Sequence, residues 1–239
     1  MKASVCGANG AMGQLILDSL GGDAYKVSLD GLNGVPKTFE ELGAVNADVI
    51  IDFSHHSAIA EVLSYAKANK MAVVVGTTGH TENEKALIFE AANHIPVFYS
   101  GNMSLGIAVL CNLAKQAAAA FPDADIEILE IHHNRKVDAP SGTAKMLFEA
   151  VKEVRPNATA NCGRSGEGKR TKDEIGISAL RMGNVVGIHE VHICTPSQTL
   201  VLRHEAANRA MFADGAVAAA KFLVGKPAGH YNMTHFLEG

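Results

Sequence analysis

The sequence predicts an α/β protein, a doubly wound parallel sheet joined to an α+β part with a mixed sheet. Three observations carry this. Up to about residue 100, short runs of Val, Ile and Ala alternate with amphipathic helical stretches, the pattern of βαβ units. A glycine-rich turn follows the first of those runs. Beyond residue 120, the apolar runs Ile175 to Arg181, Val185 to Cys194 and Thr199 to Glu205 follow one another without long helices between them, so a mixed or antiparallel sheet is expected there. The chain has 239 residues, enough for two modest domains with cores of their own.

In chain order, the first strand is Lys2 to Cys6, and GANGAMG follows it. Glycines at 7, 10 and 13 make G-x-x-G-x-x-G, not the usual G-x-G-x-x-G, but the physics is shared. The turn is tight, the backbone lies open to a close approach, and a helix N-terminus faces the phosphates. Gly7, Ala8, Asn9, Gly10, Ala11 and Met12 are therefore candidate cofactor-binding residues of a Rossmann-like domain. The helix behind them is expected to turn Met12, Leu15, Ile16 and Leu20 inward. A second strand, Tyr25 to Leu29, is expected to end in Asp30, near the offset at which an acid contacts a ribose. The other reading of Asp30 is a plain turn residue before Gly31.

The alternation continues. Ala47 to Ile51 reads as a buried strand ending in Asp52-Phe53-Ser54, and Ser57 to Asn69 as an amphipathic helix. Met71 to Val75 is a strand ending in Gly76-Thr77-Thr78-Gly79. Thr81 to Asn93 is a helix with Thr81 and Glu84 as its capping box, and Pro96 to Tyr99 is a further strand. His55 and His56 are expected to be solvated histidines capping a helix. Ser104 to Ala120 is helical, apolar nearly all round, and closed by Phe121-Pro122.

The densest chemistry lies in Glu130 to Ala144, EIHHNRKVDAPSGTA. A strand, Asp125 to Ile131, leads into it with Ile126, Ile128 and Leu129 as its apolar members. A helix carrying Ala144, Leu147, Val151 and Val154 on one face leads out. His132, His133, Arg135 and Lys136 repel one another unless something negative lies between them. Lys136 and His132 are candidates for acid and base, because both residue types are readily tuned toward neutral pH. Ser141, Gly142 and Thr143 form an N-cap turn whose amides and hydroxyls suit a carboxylate or phosphate. The alternatives are a solvated basic loop and a capped helix with nothing bound. His189 and His192 do not make a zinc pair, since strand residues three apart face opposite ways. No catalytic metal is expected.

A formal net charge of −4 and a pI near 6.2 argue against a nucleic-acid partner. The N-terminal MKASVCGANG lacks a signal-peptide h-region, and no run is long enough to span a bilayer. Four cysteines without C-x-x-C spacing suit reduced thiols, so a cytoplasmic location without membrane attachment is expected.

The segment EIHHNRKVDAPSGTA resembles the hallmark of the 4-hydroxy-tetrahydrodipicolinate (dihydrodipicolinate) reductase family. The resemblance extends to the start of the chain, GTTG at 76–79, GRSGEGKR from Gly163 and NRAMFADGA from Asn208, essentially the whole length. It implies an NAD(P)H-dependent reduction of a cyclic imine dicarboxylate in diaminopimelate and lysine biosynthesis. On this resemblance the cofactor domain comprises residues 1–104 and 208–239, and residues 105–207 bind the substrate and build a homotetramer through the second sheet. Gly76, Thr77, Thr78, Ser100, Gly101, Asn102 and Met103 would line the nicotinamide side, with Arg209 and Phe212 close by. Lys136 would donate a proton at C3 after hydride reaches C4, with His132 as its acid/base partner. His133, Ser141, Gly142 and Thr143 would hold the substrate, and the 163–172 loop would lie near the active cleft. Where many relatives have an arginine after Asp-Phe-Ser, this chain has His55-His56. From Asp30, with no arginine following it, NADH is expected to serve at least as well as NADPH. Two other classes stay open: a different nicotinamide oxidoreductase, which has no need of HHNRK with PSGT, and a dinucleotide sensor, which would have no need of Lys136 and His132.

Overall fold

The computed structural model describes residues 1–239. They form two compact units: residues 1–105 with 210–239, and residues 106–209.

The first unit is a six-stranded, all-parallel sheet: β1 (Ala3–Cys6), β2 (Ala24–Val27), β3 (Val49–Asp52), β4 (Ala72–Val75), β5 (Pro96–Tyr99) and β11 (Gly229–Tyr231), in the order β11-β5-β4-β3-β1-β2. The chain leaves β1 toward β2 and then returns to the other side through β3. The strand order thus reverses at β1/β3, where a doubly wound sheet opens its ligand crevice. β1, β3 and β4 are buried along their whole lengths, which is why they read as largely apolar runs without alternation, Ser4 and the terminal Asp52 apart. Helix α1 (Ala11–Ser19) packs with α7 (Ala210–Leu223), and α3 (Ile59–Asn69) packs with α4 (Glu82–Ala91). The short α2 (Phe39–Leu42) packs on α3 and β2, and α8 (Met233–Glu238) closes the chain against α7.

The expected elements appear, with corrections at their ends. Helix α1 buries Ile16 and Leu17; Met12, Leu15 and Leu20 are only half-buried. β2 stops at Val27, so Asp30 stands in a turn and not at the end of a strand. The Thr81–Glu84 capping box is formed in both directions. His55 caps the 3-10 turn His56–Ala58 that precedes α3. The expected 57–69 helix is therefore this turn followed by α3. The sequence does not announce β11 and α8. A three-residue strand and a six-residue helix are too short to show a period.

The second unit is a mixed five-stranded sheet: β6 (Asp125–His132), β7 (Thr159–Cys162), β8 (Glu174–Arg181), β9 (Ile188–Cys194) and β10 (Thr199–Glu205), in the order β10-β9-β6-β8-β7. β6 pairs antiparallel with β9 but parallel with β8, and β7 pairs parallel with β8. Helices α5 (Leu105–Ala120) and α6 (Gly142–Lys152) supply Leu110, Ala114, Leu147 and Val151 to one core with Ile126, Ile128, Ile177 and Val191. Arg155 donates to the carbonyls of Ala118 in the last turn of α5 and of Phe121 and Ala124 just beyond it, satisfying the chain as it leaves the helix. β7 was not expected; its sequence TANC is exposed and carries neither alternation nor an apolar run.

Candidate functional site

In the first unit the glycine turn is built as its chemistry demands. Gly7 has φ +83°, and a Cβ there would sit 2.3 Å from the Phe53 carbonyl oxygen. A Cβ at Gly13 would come within 2.1 Å of the Gly7 oxygen. These glycines let β1, the turn and α1 pack without a gap. Gly10 is the N-cap of α1 and brings no side-chain cap, so the first amides of the helix are left for a ligand. Asn9 Nδ2 donates to Asp30 Oδ1 at 2.6 Å, which places the acid beside the turn although β2 ends early. That hydrogen bond, with one from the Leu32 amide, holds the Asp30 carboxyl below its usual range, so it is ionised at neutral pH. The residues present fit a dinucleotide.

Other cofactor candidates are sorted by burial. Ala8 and Met103 have buried side chains, so only their backbones are available to a ligand. The Met103 carbonyl lies against Gly215 of α7, where a Cβ would approach to 1.7 Å. Thr77 is buried too, and its hydroxyl donates to Asp52 at 2.7 Å. Asp52 also accepts from the Ser54 hydroxyl; burial pushes its carboxyl upward against these donors. Gly76 makes room for the Phe53 ring, 2.3 Å from where its Cβ would be. Ser100 bonds the Asn102 carbonyl at 2.8 Å and shapes the 100–103 turn, which includes Gly101. Ala11, Met12 and Thr78 lie at the ends of these turns, and Phe212 is half-buried on α7. Arg209 is exposed and precedes α7, at the end of the second unit.

In the second unit the decisive feature is the inner face of β6. Alternation puts Ile126, Ile128, Glu130 and His132 on one side, and all four are buried. Leu129, expected as an apolar member, points the other way. The inward row thus changes from aliphatic to titratable as the strand ends. Glu130 is fully buried and accepts at both oxygens. Arg181 of β8 bridges it in bidentate fashion at 2.8 and 2.9 Å, the Ser141 amide donates to Oε1 at 3.0 Å, and His132 Nδ1 bonds Oε2. Ser141 caps α6 through the Ala144 amide and bonds His189 Nε2 at 3.2 Å. The His132 and His189 rings meet edge to face at 5.1 Å.

Burial would raise the Glu130 carboxyl, but Arg181, the Ser141 amide and His132 hold it below the carboxylate range. Burial lowers His132 against the upward pull of Glu130, with Lys136 and Arg181 adding to the fall. His189 is lowered to about 4, chiefly by burial and then by His132. A histidine kept neutral in the folded state binds fewer protons than in the unfolded chain, so stability falls as pH drops from about 6.5 toward 4. We expect roughly 3 kcal/mol of acid-side loss from His189. The check is denaturant unfolding from pH 7 to 4, whose slope should flatten in His189→Gln; an unchanged slope would count against a neutral His189.

The loop is less cationic than its sequence suggests. Lys136 Nζ pairs with Asp138 at 2.7 Å, and Arg135 donates to Asn184 at 2.8 Å. The chain itself supplies negative charge at Asp138 and Glu130, so mutual repulsion alone does not call for a bound anion. His133 is half-buried, and its Nδ1 has no hydrogen-bond partner. Gly142 is exposed and Thr143 half-buried in the first turn of α6. The 163–172 loop lies elsewhere. Arg164 pairs with Glu174, and Arg170 pairs with Asp125 and Glu127, at the starting ends of β8 and β6. Across a strand of eight residues the Arg170 anchor on Asp125 is roughly 23 Å from the histidine end, while the Gly163 amide bonds the Ile177 carbonyl in mid-β8, so within this chain the loop's arginines are tied away from the candidate site.

His189 and His192 do face opposite ways: the first is buried and the second pairs with Glu190 at 2.8 Å. Yet His189 joins Glu130 and His132, with potential ligand atoms all within 4.8 Å. That group forms across two strands, so spacing along one strand does not reveal it. Arg181 already places a positive charge on Glu130 there. Glu130, Arg181 and His189 are the residues that sequence reasoning missed. The period-two phase of β6, carried on from Ile126 and Ile128, was the available signal for Glu130.

A doubly wound sheet with a glycine turn and a neighbouring acid, in one chain with a buried glutamate–histidine pair beside a helix-capping turn, is the build of an enzyme that joins a dinucleotide to acid/base chemistry. Family models agree. Residues 1–103 match the dihydrodipicolinate reductase N-terminus and residues 106–237 its C-terminus. The 4-hydroxy-tetrahydrodipicolinate reductase of Alkaliphilus metalliredigens is 41% identical over 239 residues, covering 99% of each chain. That of Rickettsia bellii is 42% identical over 240 residues, covering 99% of this chain and 94% of its own. A dipicolinate-bound dihydrodipicolinate reductase from Paenisporosarcina sp. TG-14 shares the fold, with a TM-score of 0.80 at 23% identity and 97% of each chain covered. The chain belongs to the dihydrodipicolinate reductase family.

Proposed function

We propose that this chain reduces 4-hydroxy-tetrahydrodipicolinate, or the dihydrodipicolinate formed from it by loss of water, to tetrahydrodipicolinate in diaminopimelate and lysine biosynthesis. The observation that carries the reading is the joining of a proton-transfer histidine to an anion turn by one buried carboxylate, in a chain of this family. Residues 1–104 and 208–239 act as the cofactor domain, and residues 105–207 as the substrate and tetramerisation domain. The glycine turn from Gly7 to Met12, with Gly76 to Thr78, Ser100 to Met103, Arg209 and Phe212, holds the dinucleotide.

Reduced nicotinamide, when bound, supplies the hydride. The chain's own groups do the rest. Ser141, Gly142 and Thr143 hold a substrate carboxylate at the start of α6. His133 and Lys136 add positive charge around the ring. Lys136 exchanges Asp138 for the substrate and gives a proton to C3, and His132 serves as its acid/base partner. No helix is long and apolar enough to cross a membrane. The outer face of the second sheet carries Leu180 and Val201 exposed, with Ile131 and Ile188 half-buried, and is covered by further copies in a homotetramer. The enzyme works in the cytoplasm on a small dicarboxylate, without nucleic acid, membrane or metal.

Coupling the purified protein to dihydrodipicolinate synthase and following NADH absorbance tests the reading. Steady oxidation that depends on the synthase is expected; none with either nucleotide rejects it.

NADH should serve at least as well as NADPH, because the ionised Asp30 suits two ribose hydroxyls and repels a 2′-phosphate. The measurement is the ratio of kcat/KM for the two cofactors at pH 7.5, in the unmodified protein and in Asp30→Ala. The variant should shift toward NADPH. A clear NADPH preference before mutation would remove Asp30 from the ribose.

A further inference from the structure

We propose that Glu130 is a positioning residue that fixes the tautomer of His132 and, through its other oxygen, holds the Ser141 turn in register with it. This rests on the reading of His132 as an acid/base group. The geometry is a division of labour on one carboxylate. Oε2 accepts from His132 Nδ1, Oε1 accepts from the Ser141 amide, and Arg181 spans both oxygens from β8, so the carboxylate plane has little freedom to rotate. Glu130 is 0% exposed, so no water competes for these positions.

Two consequences follow. With the Nδ1 proton committed to Glu130, neutral His132 keeps its lone pair on Nε2, the nitrogen that remains for proton transfer. Gly187 leaves that nitrogen uncrowded: a Cβ there would lie 3.2 Å from Nε2. And because the same carboxylate binds the first amide of the anion turn, displacement of the turn is transmitted to the ring. His189 supports the far side, meeting the His132 ring edge to face and bonding the Ser141 hydroxyl. The charged and titratable groups that face His132 are Glu130 on its own strand, Arg181 on β8, His189 on β9 and Lys136 in the loop.

The first test uses the unmodified protein. Nitrogen-15 spectra of labelled histidines, with His132 assigned by its loss in His132→Gln, should show a neutral ring protonated on Nδ1 at pH 7.5. An Nε2-protonated ring overturns the proposal, whatever the activity. The second test is Glu130→Gln. Its amide can still accept from Ser141 but offers no second acceptor to Nδ1–H. kcat should fall on the order of 10²-fold, NADH affinity should hold, and the pH-profile limb that disappears in His132→Gln should move to lower pH. A limb that stays in place with an unchanged tautomer overturns the proposal even if kcat falls. If Glu130→Gln does not fold, the tautomer in the unmodified protein decides. Failure of the acid/base reading looks different: His132→Gln would then turn over normally, whereas failure of this proposal leaves His132→Gln impaired.

Discussion

Replacing Lys136 or His132 by alanine is expected to lower kcat on the order of 10²–10⁴-fold while leaving NADH affinity within about twofold, the size of effect typical of a positioned general acid or base. His132 lies at the end of β6, buried and tied to Glu130, and Lys136 is held beside Asp138. Both belong to the second unit, whereas the glycine turn belongs to the first. Removing either should therefore affect chemistry and spare the dinucleotide. Steady-state kinetics beside NADH fluorescence titration separates the two quantities. A mutant with near wild-type turnover and intact NADH binding has lost nothing the reaction needs, and its assigned role would be wrong. Lys136→Ala has one further consequence: Asp138, whose carboxyl Lys136 holds below the usual range, should rise toward the ordinary carboxylate value.

Gly13→Ala should have the opposite signature. The added methyl would meet the Gly7 oxygen at 2.1 Å and the Ala8 Cα at 2.8 Å. Both are backbone atoms, so neither can swing aside as a flexible side chain would. The turn must open, and the first amides of α1 then lose their aim at the phosphates. We expect NADH affinity to weaken at least about tenfold, equivalent to about 1.4 kcal/mol, together with a lower melting temperature. Dipicolinate binding to the protein without nucleotide should be unchanged. Full NADH affinity in a folded Gly13→Ala protein would show that the pyrophosphate does not sit on this turn.

Much of the first unit is legible without coordinates, for a local reason. Gly7, Gly10 and Gly13 follow a strand and open a helix, and the four-residue strands of the parallel core are mostly apolar because both faces are covered, with Ser4 and the terminal Asp52 as buried exceptions. Thr81 and Glu84 announce their helix in the same way, since a capping box involves only residues three apart. The hallmark stretch is equally plain as a string, and it identifies the family. What the string does not show is which of its charges are already answered. Lys136 finds Asp138 two residues on, and Glu130 finds Arg181 fifty-one residues on across the parallel pairing of β6 with β8. Of the cluster His132, His133, Arg135 and Lys136, folding gives His132 and Lys136 a carboxylate each, at Glu130 and Asp138.

The amino-acid order by itself determined the two architectures, the glycine turn with Asp30 near it, and the concentration of acid/base and anion-binding groups in one stretch. All of these depend on residues close in sequence, where period and spacing carry the information. The tertiary structure alone decided that Glu130 is buried, that His132 and His189 meet, that Arg181 neutralises Glu130 from a third strand, and that Arg164 and Arg170 of the 163–172 loop are tied to the starting ends of β8 and β6. Those outcomes depend on strand order and register. A sheet with β10-β9-β6-β8-β7 order brings side chains from β6, β8 and β9 to one end, and no local pattern in any one strand encodes its neighbours.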